Sequence, residues 1–88
     1  MKIEYRKRFL KELAKIPSKN RIKIEKFVFE ELPELDSIFK SGKIEQMKGY
    51  PSYYKNRFGS YRVGLKIENE IVILERVLDL KDIYRYYP

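Results

Sequence analysis

At 88 residues the chain is expected to form a single domain (1–88) with one core, too short for a second domain to close over a deep pocket. A 43% hydrophobic content supports a globular fold; the lack of cysteine excludes disulfides and thiolate metal sites, and the lack of histidine removes the commonest general base and metal ligand. The formal charge of +7 concentrates in residues 1–26, where ten cations meet three anions, and this favours acidic partners, nucleic acid or protein.

No apolar run reaches the ~18 residues of a membrane span. The opening Met-Lys-Ile-Glu-Tyr-Arg is charged and does not read as a signal peptide. A cytoplasmic location is expected, with no membrane partner, no cofactor and no metal.

Lys2–Tyr5 reads as a short first strand. Arg6 to Ile16 reads as a helix, with Phe9, Leu13 and Ile16 at helical spacing and Leu10 widening the stripe. Pro17 stops it, and Ser18 is expected to cap a second helix running to about Leu32. The apolar positions of that helix (Ile22, Ile24, Phe27, Val28, Phe29, Leu32) cover more than one face. They fit either packing on both the sheet and the first helix or an exposed strip for a partner.

Residues 33–49 carry little signal beyond turns at Gly42 and Gly49 and a helical turn around Leu35, Ile38 and Phe39. Three strands follow, at 53–58, 61–68 and 71–77. The last begins apolar on both faces, as a central strand does. A two-residue loop at Asn69-Glu70 sends Val72 and Leu74 coreward, whereas a three-residue loop sends Ile71 and Ile73. The tail from Asp79 to Pro88 reads as one or two helical turns capped by Asp79. The order β-α-α-β-β-β-α predicts an α+β fold. Two N-terminal helices pack on one face of a mainly antiparallel four-stranded sheet, and a short C-terminal helix follows.

The segment from Tyr53 to Gly64 is the most informative. Gly59-Ser60 is a two-residue hairpin turn with Gly at its first central position. This sets Phe58 opposite Tyr61, Arg57 opposite Arg62 and Lys55 opposite Gly64. Tyr54 and Phe58 then share a face with Tyr61, Val63, Leu65 and Ile67, and Lys55, Arg57, Arg62 and Lys66 share the other. Directly opposed arginines repel, and a bound phosphate resolves that repulsion. Gly64 leaves space on the cationic face for a flat group.

RNA cleavage through the 2′-hydroxyl needs in-line placement, proton transfer and stabilisation of charge on the phosphorane. Arginines hold phosphate bidentately, a lysine crowded by cations takes part in proton transfer, and tyrosines stack on bases. Lys55, Arg57, Arg62 and Tyr84 supply these parts without histidine. A cationic sheet face with tyrosines equally suits binding without chemistry, or a solvated surface.

The run Lys48-Gly-Tyr-Pro-Ser-Tyr-Tyr-Lys-Asn-Arg-Phe-Gly-Ser-Tyr-Arg-Val-Gly64, the closing segment Glu75 to Pro88 and the element order together resemble the RelE toxin family of the RelE/ParE superfamily. The resemblance implies the toxin half of a type II toxin–antitoxin pair. Such a toxin is a metal-independent endoribonuclease (mRNA interferase) that cuts mRNA in the ribosomal A site, contacting ribosomal RNA, and leaves a 2′,3′-cyclic phosphate. It implies an acidic RelB-like antitoxin, a monomeric free toxin and a hetero-oligomer with the antitoxin. By position, Lys55 and Arg57 match the basic residues for proton transfer and charge stabilisation. Arg62 matches the phosphate-holding arginine, and Tyr84 the tyrosine that stacks on or orients the substrate.

The closing segment departs from the family's Val-x-His-Arg-x-x-x-Tyr pattern. Asp79-Leu80 stands where His-Arg is usual, so the arginine for phosphate stabilisation or leaving-group protonation is missing. Lys81 is the adjacent candidate substitute, although on a strand or early helix it points elsewhere. The departure implies weakened cleavage. It keeps two alternatives open, a ParE-like toxin that poisons DNA gyrase and a degenerate module that only binds antitoxin or ribosome.

Overall fold

The computed structural model describes residues 2–36 and 44–88. The expected features around Ile38, Phe39 and Gly42 lie outside them. Strand β1 (Lys2–Tyr5) leads to helix α1 (Lys7–Ala14) and helix α2 (Ser18–Glu25), which continues as a wider π-helical stretch (Lys26–Glu31) and a tight final turn (Leu32–Glu34) containing Pro33. Then come β2 (Ile44–Gln46), β3 (Tyr53–Phe58), β4 (Tyr61–Glu68), β5 (Ile71–Asp79) and α3 (Leu80–Tyr86). No helix among the described residues is long and apolar enough to cross a membrane.

Among the described residues the sheet has five strands in the order β1-β5-β4-β3-β2, one more than expected. The extra strand, Ile44–Gln46, pairs antiparallel with β3 through Ile44↔Asn56 to Gln46↔Tyr54. Its three residues are too few to show an alternating pattern. Only β1 is parallel, pairing with β5. The Asn69-Glu70 loop has two residues, both in the left-handed region, with Glu68 opposite Ile71. Val72 and Leu74 therefore face the core and are buried.

The core lies between the helices and one sheet face. Phe9, Leu13 and Ile16 enter it from α1 and the residues after it, and Ile24, Phe27, Val28 and Leu32 from the second helical segment. Each fully buried side chain of this size contributes about 1.5–3 kcal/mol. That segment also has an outward side: Ile22 and Phe29 stay exposed, with Phe29 against Tyr5 at 5.2 Å between ring centroids. Leu10, expected to widen the α1 stripe, is exposed as well. Ser18 does not cap α2. Pro17 holds the capping position, its carbonyl accepting from the N–H groups of Asn20 (3.2 Å) and Arg21 (3.0 Å), and Ser18 is already helical. Proline suits this place because its φ is preset and a missing N–H costs nothing there.

Beyond Leu74, β1 has ended and the outer edge of β5 lacks a strand partner. The Glu12 carboxylate of α1 occupies that edge. It accepts from the Val77 N–H (3.1 Å) and from the Arg76 guanidinium through Nε (3.0 Å) and Nη2. The Tyr86 ring lies 5.7 Å from the Arg76 guanidinium, so this ion pair links α1 to α3 around the sheet edge.

A second, smaller core covers the other sheet face, built from Met47, Ile83 and Tyr87 with Tyr53 and Leu78 against them. The space over Gly64, expected to be open, is filled by the chain itself. A Cβ at position 64 would lie 2.8 Å from three ring carbons of Tyr87. The Tyr87 hydroxyl donates to the Leu65 carbonyl at 2.5 Å. Burial pushes the phenol well above the usual tyrosine range, and the Glu75 charge adds to this, so the group stays a donor.

Two stability predictions follow from this packing. Gly64→Ala forces the Tyr87 ring off the sheet, and overpacking of this kind costs about 1–3 kcal/mol, to be read from the urea midpoint. An unchanged midpoint would show that the ring moves freely. Asn56, on the core face of β3, is fully buried, and neither its Nδ2 nor its Oδ1 has a hydrogen-bond partner among the described residues. Replacing it with a strand-favouring apolar residue, Asn56→Val, removes a desolvation cost of about 1–3 kcal/mol. The midpoint should rise without a change in slope.

Candidate functional site

The β3–β4 hairpin has the register that its turn dictates. Gly59 adopts φ +59, Phe58 pairs with Tyr61, Arg57 with Arg62, and Lys55 with Gly64. The alternation puts Tyr54, Phe58, Val63 and Leu65 against the main core. Lys55, Arg57, Arg62 and Lys66 lie on the opposite face, the one that α3 partly covers. The large apolar core on one face thus holds the cations in place on the other.

These cations are not equivalent. Lys66 is already engaged: its ammonium is 3.3 Å from Glu68 and lies over the Tyr53 ring. Its pKa is raised, chiefly by the hydrogen bond to Glu68. Arg62 turns toward the hairpin end, with Nη1 donating to the carbonyls of Gly59 (2.9 Å) and Tyr61 (3.0 Å). Carbonyls satisfy donors without neutralising the charge. Arg57 is exposed and has no hydrogen-bond or ion-pair partner among the described residues. Lys55 has one weak acidic neighbour, the exposed Glu45 at 4.0 Å. The result is a cationic patch with unused donors.

Tyr84 is delivered to this patch by α3. Asp79 caps the helix, accepting from the Lys81 N–H at 3.1 Å, as its place at the head of the tail predicts. Ile83 and Tyr87, four residues apart, form the buried side of the helix. Tyr84, next to Ile83, is left at the rim and is 57% exposed. The Lys55 ammonium donates to the Tyr84 hydroxyl and sits 4.6 Å from its ring centroid. So the structure brings Lys55 and Tyr84 into contact and sets Arg57 and Arg62 side by side on the same two strands.

The segment after β5 is less favourable. Leu80 is 41% exposed, and its N–H donates to the Ser60 carbonyl at 2.7 Å. This fixes position 80 beside the hairpin turn, two residues beyond Leu78, which pairs with Arg62. Lys81 lies exposed in the first turn of α3, its side chain making no hydrogen bond or ion pair among the described residues.

Sequence reasoning missed the far wall of the site. Residues Met47, Lys48 and Tyr50, between β2 and β3, face Tyr84 and Tyr87 across a cleft of about 350 Å³ that Lys55 also lines. Gly49-Tyr-Pro51 signalled only a turn there. The described residues include no cluster of three or more acidic, histidine or cysteine side chains able to hold a metal ion.

Comparison with known proteins agrees with this geometry. Residues 3–84 match the family model described as the ParE toxin of type II toxin–antitoxin system, parDE. The chain is 37% identical over 89 residues to Toxin RelE3 of Methanocaldococcus jannaschii, covering all of both proteins. Its fold is similar to a chain of the RelB–RelE antitoxin–toxin complex from Methanococcus jannaschii, with a TM-score of 0.80 and 35% identity over 97% of this chain and 99% of that one. A chain of the intact E. coli RelBE toxin–antitoxin complex is similar with a TM-score of 0.66 and 26% identity, over 89% of this chain and 94% of that one. This chain therefore belongs to the RelE/ParE superfamily of type II toxin–antitoxin toxins.

Proposed function

We propose that this toxin is a cytoplasmic, metal-independent endoribonuclease that cuts mRNA in the ribosomal A site, and that an acidic RelB-like antitoxin neutralises it. The observation that carries the reading is the opposed pair Arg57 and Arg62, neither of which has an acidic partner among the described residues, beside the Lys55–Tyr84 contact. Two adjacent guanidinium groups repel in the free protein and bind one phosphate well.

In this scheme Arg57 and Arg62 hold the scissile phosphate. The neighbouring 2′-hydroxyl attacks phosphorus, the 5′-oxygen leaves, and a 2′,3′-cyclic phosphate remains. Lys55 takes part in the transfer of the 2′-hydroxyl proton, Tyr84 stacks on or orients the substrate, and the 5′-oxygen leaves as a hydroxyl after taking a proton from water. Leu80 supplies neither charge nor proton to the leaving oxygen, so the rate is reduced. The basic stretch 6–26 offers its charge to ribosomal RNA or, in the inhibited state, to the antitoxin. Salt weakens both contacts. The free toxin is a monomer, and the antitoxin complex a hetero-oligomer.

A second reading has its own support. The family model matched over residues 3–84 is named for the ParE toxin, and Leu80 removes a donor that only a nuclease needs. A gyrase-directed toxin would leave mRNA intact and produce gyrase-linked DNA breaks, whereas a binding-only module would do neither. Primer extension on a translated mRNA separates the three.

Arg57→Ala is the cleaner of two test substitutions because the Arg57 side chain makes no hydrogen bond or ion pair among the described residues. It should reduce cleavage of ribosome-bound mRNA by about 10²–10³-fold with no loss of thermal stability, since it relieves the repulsion of Arg62. Leu80→Arg should increase single-turnover cleavage, since position 80 is held beside the turn that orients Arg62. A wild type that cleaves fast, with no gain from the arginine, would show that another group already protonates the leaving oxygen.

A further inference from the structure

We propose that the cleft between the β2–β3 turn and α3 is a nucleobase subsite, with Tyr50 as its stacking platform. This rests on the reading of the chain as an RNA-binding toxin. It adds the position of one base next to the phosphate held by Arg57 and Arg62, and a residue that holds it.

The cleft, about 350 Å³, lies within the size range of small-ligand sites. Lys55 and Tyr84 belong both to its lining and to the catalytic patch, so the cleft opens directly onto the proposed phosphate position. A nucleotide whose phosphate sits on the arginines has its base within reach of this space. Tyr87 supplies an apolar floor and Lys48 a cation at the outer lip.

Tyr50 is 51% exposed, yet it is not a loose surface side chain. The turn carrying it is closed by three backbone hydrogen bonds: Tyr50 N–H to the Met47 carbonyl (3.1 Å), Tyr53 N–H to the Tyr50 carbonyl (3.0 Å) and Met47 N–H to the Tyr53 carbonyl (2.8 Å). Its ring stands edge-on to Tyr53 at 6.2 Å, and Tyr53 stands edge-on to Tyr87 at 5.7 Å. This aromatic chain fixes the ring from the sheet side. The half-exposed remainder costs free energy in water and gains it when a flat π-system covers it. A fixed, half-exposed ring in a cleft that Lys48 and Lys55 also line suits an unstacked base better than an extended protein segment.

The test uses a short single-stranded RNA with 2′-O-methyl sugars, which cannot be cut, carrying 2-aminopurine at successive positions. The fluorescence of that base falls when it stacks. Binding is measured at low salt to the full-length protein as wild type, Tyr50→Ala and Tyr50→Phe, each first shown to be folded by circular dichroism. Wild type and Tyr50→Phe should quench one position. Tyr50→Ala should lose that quenching and bind about 5- to 150-fold more weakly. If wild type binds RNA but Tyr50→Ala binds and quenches equally, the base does not lie on Tyr50. The subsite is then wrong while the RNA reading stands. If wild type binds no RNA at any salt concentration, the subsite is wrong, and the nuclease reading is decided separately by primer extension on a translated mRNA.

Discussion

The Tyr87 ring lying on Gly64 is the contact that converts a sheet with two faces into a sheet with a site. Strand β4 is central and needs cover on both sides, and the two N-terminal helices cover only one. The glycine leaves a shallow seat, and the ring enters it with its hydroxyl bonded to the Leu65 carbonyl. Once Tyr87 is seated, Ile83 is drawn down one helical turn away and the direction of α3 follows. Tyr84 then has no choice but the rim above Lys55. The same seat closes the aromatic chain from Tyr87 through Tyr53 to Tyr50, which holds the opposite wall of the cleft.

A cationic face of this density opposes folding, and the structure shows what offsets it. Arg57 and Arg62 oppose each other with no acid between them. Their strands are held by the alternate residues, Phe58, Val63 and Leu65, buried on the other face. The transfer free energy of those side chains, about 1.5–3 kcal/mol each, exceeds the few tenths to 1 kcal/mol expected from a like-charge cross-strand pair. Arg76, by contrast, is neutralised. It lies nearer the sheet edge and is mostly buried with Glu12, where an unpaired charge would be costly. Burial therefore separates the ion-paired arginine from the two that have no acidic partner among the described residues.

How much could be read in advance depended on how local each determinant is. The hairpin register needs only Gly59-Ser60 and the period of two, so Lys55, Arg57 and Arg62 were placed correctly from the chain. The left-handed pair Asn69-Glu70 resolved the register of β5 only in the folded structure, because loops of two and of three residues both fit the residues. Strand β2 went unseen because three residues carry no periodicity. Ser18 was a reasonable cap by type, but proline before it already met the geometric need. Nothing in the sequence singled out Asn56; its burial depends on β2 and β4 closing on either side of it.

Membership of the superfamily and the α+β layering followed from sequence, because both rest on patterns that repeat within a few residues: helical spacing, strand alternation, turn glycines and the motif of the hairpin and tail. What lies across from what was decided by tertiary structure. The meeting of Lys55 with Tyr84, 29 residues apart, the bonding of Glu12 to Arg76 and Val77, and the cleft between Tyr50 and Tyr84 each need α3 or α1 docked at one position on the sheet. That position is set by packing, in which a missing side chain at Gly64 and an unpaired edge beyond Leu74 matter as much as any residue present. Neither feature is visible until the strands are in register, because a gap exists only between neighbours.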